Sequence, residues 1–274
     1  MSTTPLELAR PRTRLKPPPL RLPKAALWRA ASPLALLALW QLSSSSGLLS
    51  ERLLADPVTI ARTAWELARE GVLGEAIGAS LRRAAVGFAL GAAAGIGLAL
   101  AAGLSRVGEA ALDPPMQMLR ALPLFGLIPL FILWFGIGET PKVALVAFGV
   151  AFPLYLNTFA GIRGVDGKLA EAARVLGLSR TALIRHVVLP GALPQTLVGL
   201  RQSLGVAWLA LIVAEQINAD RGLGFMINDA REFLRTDIVV VGLLVYAALG
   251  LATDGIVRIL EGRALAWRRA FLGR

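Results

Sequence analysis

Residues 84–104 carry no charge, and that run limits what the chain can be. A hydrocarbon core takes roughly 20 apolar residues as α-helix, because only a helix satisfies its own backbone hydrogen bonds there. Five further stretches, 30–49, 121–138, 143–162, 197–218 and 238–259, have similar length and apolar character. The sequence therefore predicts an all-α, polytopic membrane protein with six transmembrane helices. Composition agrees: 55% of the 274 residues are hydrophobic and 17% charged, too apolar a mix for a soluble domain to cover with a polar surface.

Within 84–104, Gly87, Gly91, Gly95 and Gly97 have spacings that let a second helix approach closely. The turn between 121–138 and 143–162 is short enough to demand a tight hairpin. With both termini placed in the cytoplasm, the inner side collects 19 Lys and Arg residues against 9 outside, with Arg201 inside a span. That asymmetry favours cytoplasmic termini and accounts for the net charge of +11 without nucleic acid. Residues 1–25, with Pro17-Pro18-Pro19 and scattered arginines, read as a disordered basic cytoplasmic tail without the pattern of a signal peptide. The remainder, 26–274, reads as one transmembrane domain. Asp56-Pro57 fits an N-cap followed by proline at the first helical position. Val58, Ala61, Trp65 and Ala68 then share one face of an expected interfacial helix.

The loop 163–195 between the fourth and fifth spans is ambiguous when read alone. Glu171-Ala172-Ala173-Arg174-x-Leu176-Gly177-Leu178-Ser179-Arg180 suits a short helix, a turn at Gly177, a cap at Ser179 and a second helix, which also describes a DNA-reading helix-turn-helix. Its tethering to a membrane span at each end argues against entry into a major groove about 12 Å wide.

The same residues resemble the Glu-Ala-Ala loop of permeases from bacterial binding-protein-dependent ATP-binding-cassette importers. Glu171, Ala172, Ala173 and Gly177, followed by Val188, Leu189 and Pro190, carry the resemblance. It extends over residues 40–267 and narrows to permeases for aliphatic sulfonates, taurine and nitrate, through Asp113 with Gln117-Met118-Leu119-Arg120, Leu133-Trp134-Phe135-Gly136-Ile137 and Leu211-Ile212-Val213-Ala214-Glu215. Asn228-Asp229-Ala230-Arg231-Glu232-Phe233-Leu234 is most similar to the aliphatic sulfonate branch.

That resemblance implies a type I importer permease fold in the cell inner membrane. It implies a coupling helix from Glu171 through Leu178 that docks on an ATPase, with Ala172, Ala173, Arg174, Leu176, Gly177 and Pro190 in the coupling segment. The implied partners are a second permease copy, two ATPase subunits and an external substrate-binding protein touching Asp229, Arg231 and Glu232. ATP and Mg²⁺ would belong to the ATPase, and this chain would hold no cofactor.

Residue chemistry fits a non-catalytic subunit. The nearest string to a phosphate loop, Gly164-Val165-Asp166-Gly167-Lys168-Leu169, has the wrong spacing and lacks the hydroxyl that would bind magnesium. There is no cysteine and a single histidine, His186, so no thiolate or His-cluster metal site is expected. Ionisable residues inside a span are costly and usually face protein or water. Arg201 and Asp254, at similar depths in antiparallel spans, are expected to pair. Glu215 is expected either to hydrogen-bond the following outer loop or to act in gating. Gln117, Arg120, Tyr155, Asn157 and Trp208 are further candidates for the transport pathway.

Overall fold

The computed structural model describes residues 24–47 and 54–267. In chain order its α-helices are α1 (Lys24–Ser45), α2 (Pro57–Arg69), α3 (Val72–Gly103), α4 (Arg106–Leu119), α5 (Ile128–Phe135), α6 (Glu139–Arg163), α7 (Gly167–Val175), α8 (Arg180–Leu183), α9 (Leu189–Asn218), α10 (Leu223–Glu232) and α11 (Thr236–Ala264). No strand occurs among the described residues. The tail expected at 1–25 lies, up to residue 23, outside them.

Among the described residues, four helical runs are long and apolar enough to cross a bilayer: Val72–Gly103, Glu139–Arg163, Arg180–Ile217 and Thr236–Ala264. By length and apolar character the described residues fall short of the expected count of six at two places. The first span, 30–49, falls largely on α1, which is not among these four; its last two residues lie outside the described ones. The third, 121–138, is not a straight helix. α4 and the segment Leu124–Phe135 form a pair bent by 91°, which counts as a fifth crossing only if the two are taken as one broken span. Pro123 and Pro129 flank a short 3-10 turn, Leu124–Leu127, where proline supplies no backbone donor and an α-helix is interrupted. Gly136 and Gly138, both with positive φ, then make the tight hairpin into α6.

α6 lies at the centre and packs along both α3 and α9. On α3 the contact follows Gly87, Gly91 and Gly95. A Cβ at Gly91 would stand 2.3 Å from the Ala147 carbonyl oxygen, and one at Gly95 2.5 Å from that of Ala151. Gly97, grouped with them on spacing, is turned off this face and would meet nothing within 4 Å. At about 100° per residue, steps of four keep one side of a helix and a step of two leaves it.

α2 begins at Asp56, whose carboxylate accepts hydrogen bonds from the Val58 and Thr59 backbone N–H groups. Hydrogen bonding from the Thr59 hydroxyl leads the causes that hold this carboxyl below its ordinary range. The face named from spacing, Val58, Ala61, Trp65 and Ala68, is the exposed one; Ile60 and Thr63 are buried, and the Thr63 hydroxyl donates to Asp237 over 2.8 Å.

Candidate functional site

At one end of the bundle, α7 and α8 form the connection between α6 and α9. Asp166 caps α7 by accepting from the Lys168 N–H. The other terminus closes with Gly177 at φ +79°, where its N–H donates to the Arg174 carbonyl and the Leu178 N–H donates to that of Ala173. This paired closure satisfies two carbonyls at the end of the helix and needs a residue that tolerates left-handed backbone. Ser179 then caps α8 through the Ala182 N–H.

α8 does not end as a separate recognition helix. A π-helical turn, Ile184–Val188, joins it to α9, so that one apolar run extends over Arg180–Ile217. Pro190 has no N–H for an ordinary α-helical bond, and the wider turn just before it accommodates the break. The helix that a DNA-binding reading would send into a groove is therefore the start of a membrane span.

α7 has two unlike faces. Ala173 is buried, and Ala170, Arg174 and Leu178 turn toward a cleft against the ends of α3 and α6. Glu171, Val175 and Leu176 point away from it, with Val175 87% and Leu176 79% exposed. Two neighbouring aliphatic side chains thus stand in the open on a helix pinned from behind.

The opposite end holds a polar network that neither spacing nor motif disclosed. Glu215 is 0% exposed and Arg83, from the second half-turn after Ser80 on α3, is 1% exposed. Arg83 donates from Nη1 to Glu215 over 2.7 Å and to the Arg221 carbonyl over 2.6 Å. Its Nε and Nη2 form a two-point contact with Glu139 at 2.6 and 2.7 Å. Lys142, also buried, lies 3.6 Å from Glu139, so two cations and two carboxylates balance. Glu215 further accepts from the Ser80 and Tyr246 hydroxyls and the Gly224 N–H. Of the two roles considered for Glu215, hydrogen bonding to the segment that follows its span is present in the Gly224 contact, at the start of α10. The only sequence signal for its partner is the Arg82-Arg83 pair at the edge of the uncharged run 84–104.

The expected pathway residues separate. Tyr155 and Trp208 are buried inside the chain, as Glu215 is, so none of the three lines an open surface. The Tyr155 hydroxyl donates to Asp113 at 3.1 Å, where Gln117 also donates at 3.2 Å. Trp208 Nε1 donates to Thr253 at 3.2 Å between α9 and α11. Arg120 is exposed at the end of α4. Asn157 donates to Gln202 and accepts from Gln195, each at 2.9 Å, and both glutamines are exposed on α9. Sequence reading missed these two glutamines, although amides in an apolar run are themselves a signal.

Arg201 Nε lies 3.2 Å from Asp254, but the pair is not isolated. Arg201 also contacts Glu261 at 2.7 Å, and Arg258 contacts Asp254 at 2.7 Å. Exchanging the charges of Arg201 and Asp254 should therefore recover only part of the stability lost by reversing either one. The exchanged acid would face Glu261 and the exchanged base Arg258. Since the pair is partly exposed, each single reversal should cost about 1 kcal/mol, read as thermal unfolding in detergent. Full recovery in the exchanged protein would contradict the four-charge arrangement.

Asp229, Arg231 and Glu232 lie exposed on α10, at the same end as the buried network, where Arg231 donates to Asn228 over 2.7 Å and Asn228 to Glu232 over 3.0 Å. Phe233 and Leu234 continue this exposed surface.

Long apolar helices packed through small residues, with charge either balanced in the interior or gathered at the ends, define an integral membrane protein of the multi-pass class. The chain matches the family of binding-protein-dependent transport system inner membrane components over residues 91–265, and it belongs to that family. It is 47% identical to the SsuC protein of Bacillus subtilis (strain 168), named for aliphatic sulfonates transport as a permease, over 88% of this chain and 87% of that one. Identity to TauC of Escherichia coli (strain K12), a taurine transport system permease protein, is 36% over 85% of this chain and 86% of that one. The fold is similar to the crystal structure of an amino acid ABC transporter with histidines, with a TM-score of 0.61 at 19% identity, covering 72% of this chain and 96% of that one. The chain is thus a transport component of the inner membrane and not an enzyme.

Proposed function

We propose that this chain forms the membrane pathway of an ATP-driven importer for small organic anions, aliphatic sulfonates being the favoured class, and that α7 is where a separate ATPase takes hold. The observation that carries the reading is the two-faced α7. Its inner face is packed, its end is locked by the Gly177 turn, and its outer face offers Val175 and Leu176 beside Glu171. Exposed aliphatic residues on a pinned helix suit a protein partner, with the neighbouring charge setting register. ATP and Mg²⁺ then belong to the ATPase, two copies of it engaging two copies of this chain.

The excess of Lys and Arg supports placing the α7 end and both termini in the cytoplasm. α10, with Asp229, Arg231 and Glu232, then faces outward, where an external binding protein would deliver the solute. The amides of half-buried Asn157 and of exposed Gln195 and Gln202, with Gln117 and Arg120, are suited to line the route, because polar groups in a span are stable against water or another subunit. Higher identity to the sulfonate permease than to the taurine permease favours aliphatic sulfonates. Taurine or nitrate import by the same mechanism is the second reading.

Replacing Gly177 with valine places a β-branched residue at positive φ, which costs about 1–2 kcal/mol at that position and distorts the end of α7. Gly177→Val and Glu171→Lys should each lose a co-purifying ATPase while still inserting in the membrane. Retention of the ATPase by both variants would refute α7 as its docking element.

A further inference from the structure

Behind α7 lies an open cleft of about 570 Å³, within the size range of small-molecule sites. Arg163, Arg174 and Arg180 line it together with Leu178, Leu183 and Val188. Arg163 is matched by Glu109. Arg180 spends one Nη2 bond on the Leu104 carbonyl, at 3.2 Å, and keeps its other donors. Among the described residues no carboxylate pairs with Arg174 or Arg180. The acids of the connecting segment are otherwise employed: Asp166 caps α7, and Glu171 is on the face turned away. The result is a half-apolar recess carrying two uncompensated guanidinium groups, whose planar forks match the oxygens of sulfonate and phosphate.

We propose that this cleft binds the sulfonate or phosphate head of an organic anion, which bridges Arg174 on α7 to Arg180 on α8 and clamps the loop against the ends of α3 and α6. Its apolar walls would take the first carbons of the attached chain. The bound anion would stiffen the element through which an ATPase acts, making transport sensitive to what occupies the same side of the membrane. The head group could arrive on a soluble sulfonate or on an acidic phospholipid, and these are two sources of one chemistry.

The test uses the full-length permease in two arms. In detergent, hexanesulfonate is titrated calorimetrically; in phosphatidylcholine nanodiscs, bound phosphatidylglycerol is counted by native mass spectrometry. Saturable binding in the first arm identifies a soluble source and in the second a lipid source. Either supports the site if Arg174→Gln/Arg180→Gln weakens it by about tenfold or more while Arg174→Lys/Arg180→Lys keeps most of it. Should the glutamine variant fail to fold, Ala170→Phe fills the recess with both arginines in place and should weaken binding equally. No saturable binding in either arm, or binding unchanged by Ala170→Phe and by the glutamine pair, overturns the proposal. ATPase capture by the wild-type chain is read separately, so failure of the anion site and failure of the docking reading are distinguishable.

Discussion

Glu215→Ala is expected to be among the most damaging single substitutions in the protein, at about 3–5 kcal/mol, because it strands a buried guanidinium. Arg83 would keep Glu139 but lose the partner that is itself fully buried, and the Ser80 hydroxyl, the Tyr246 hydroxyl and the Gly224 N–H would lose their acceptor. Each is a polar group left unsatisfied in the interior, and such losses cost more than the net worth of the bond. Arg83→Met should be comparably harmful, leaving the Glu215 carboxyl buried without its guanidinium partner. The double variant Arg83→Met/Glu215→Gln removes both charges and should be less unstable than the sum of Arg83→Met and Glu215→Gln made singly, a coupling that this double-mutant cycle measures directly. The readout is the thermal unfolding midpoint of detergent-purified protein with its monodisperse yield. Single variants within about 1 kcal/mol of wild type, or strict additivity, would remove the network as a determinant of the fold.

Gly91→Leu should be of similar severity for a different reason. Its Cβ alone would stand 2.3 Å from the Ala147 oxygen and 2.8 Å from Val150 Cβ, and two of these neighbours are backbone or directly attached to it. The helices would have to separate, losing the close contact of α3 with α6 along several turns. Overpacking typically costs about 1–3 kcal/mol and more where no flexible group can yield. Gly97→Leu is the matched control, since nothing lies within 4 Å of the added carbon. The expected result is aggregated or poorly inserted protein for the first and near-normal yield for the second. Equal behaviour of the two would show that the α3 and α6 contact is not what the glycines serve.

The comparison of Gly91 with Gly97 shows how far linear pattern reaches. Spacing identified a small-residue segment, and helical geometry divides its members, but only the position of α6 says which side is crowded. α2 teaches the same lesson in reverse. Its boundaries and cap were legible from Asp56-Pro57, and the apolar stripe picked from the sequence faces outward, which an interfacial helix allows; only the tertiary structure shows that the adjoining stripe of Ile60 and Thr63 meets α11. In a membrane protein apolar character does not tell inside from outside, since lipid and protein interior are both apolar solvents. Hydropathy likewise marked 121–138 as a span of its own, because a sum over residues is blind to the 91° turn by which Leu124–Phe135 leaves the line of α4.

The sequence by itself determined that the chain is helical and membrane-spanning, where its charge is concentrated, and how the loop around Glu171 and Gly177 is punctuated: caps, a left-handed glycine and a proline are local in origin, so a few neighbouring residues suffice to specify them. Tertiary structure alone decided which of α7's faces is packed, that α8 runs on into a span, that Tyr155, Trp208 and Glu215 are interior, and that Arg83 meets Glu215 across 132 positions of chain. Those outcomes depend on electrostatic pairing and close packing between segments distant in sequence, and no window along the chain contains both partners.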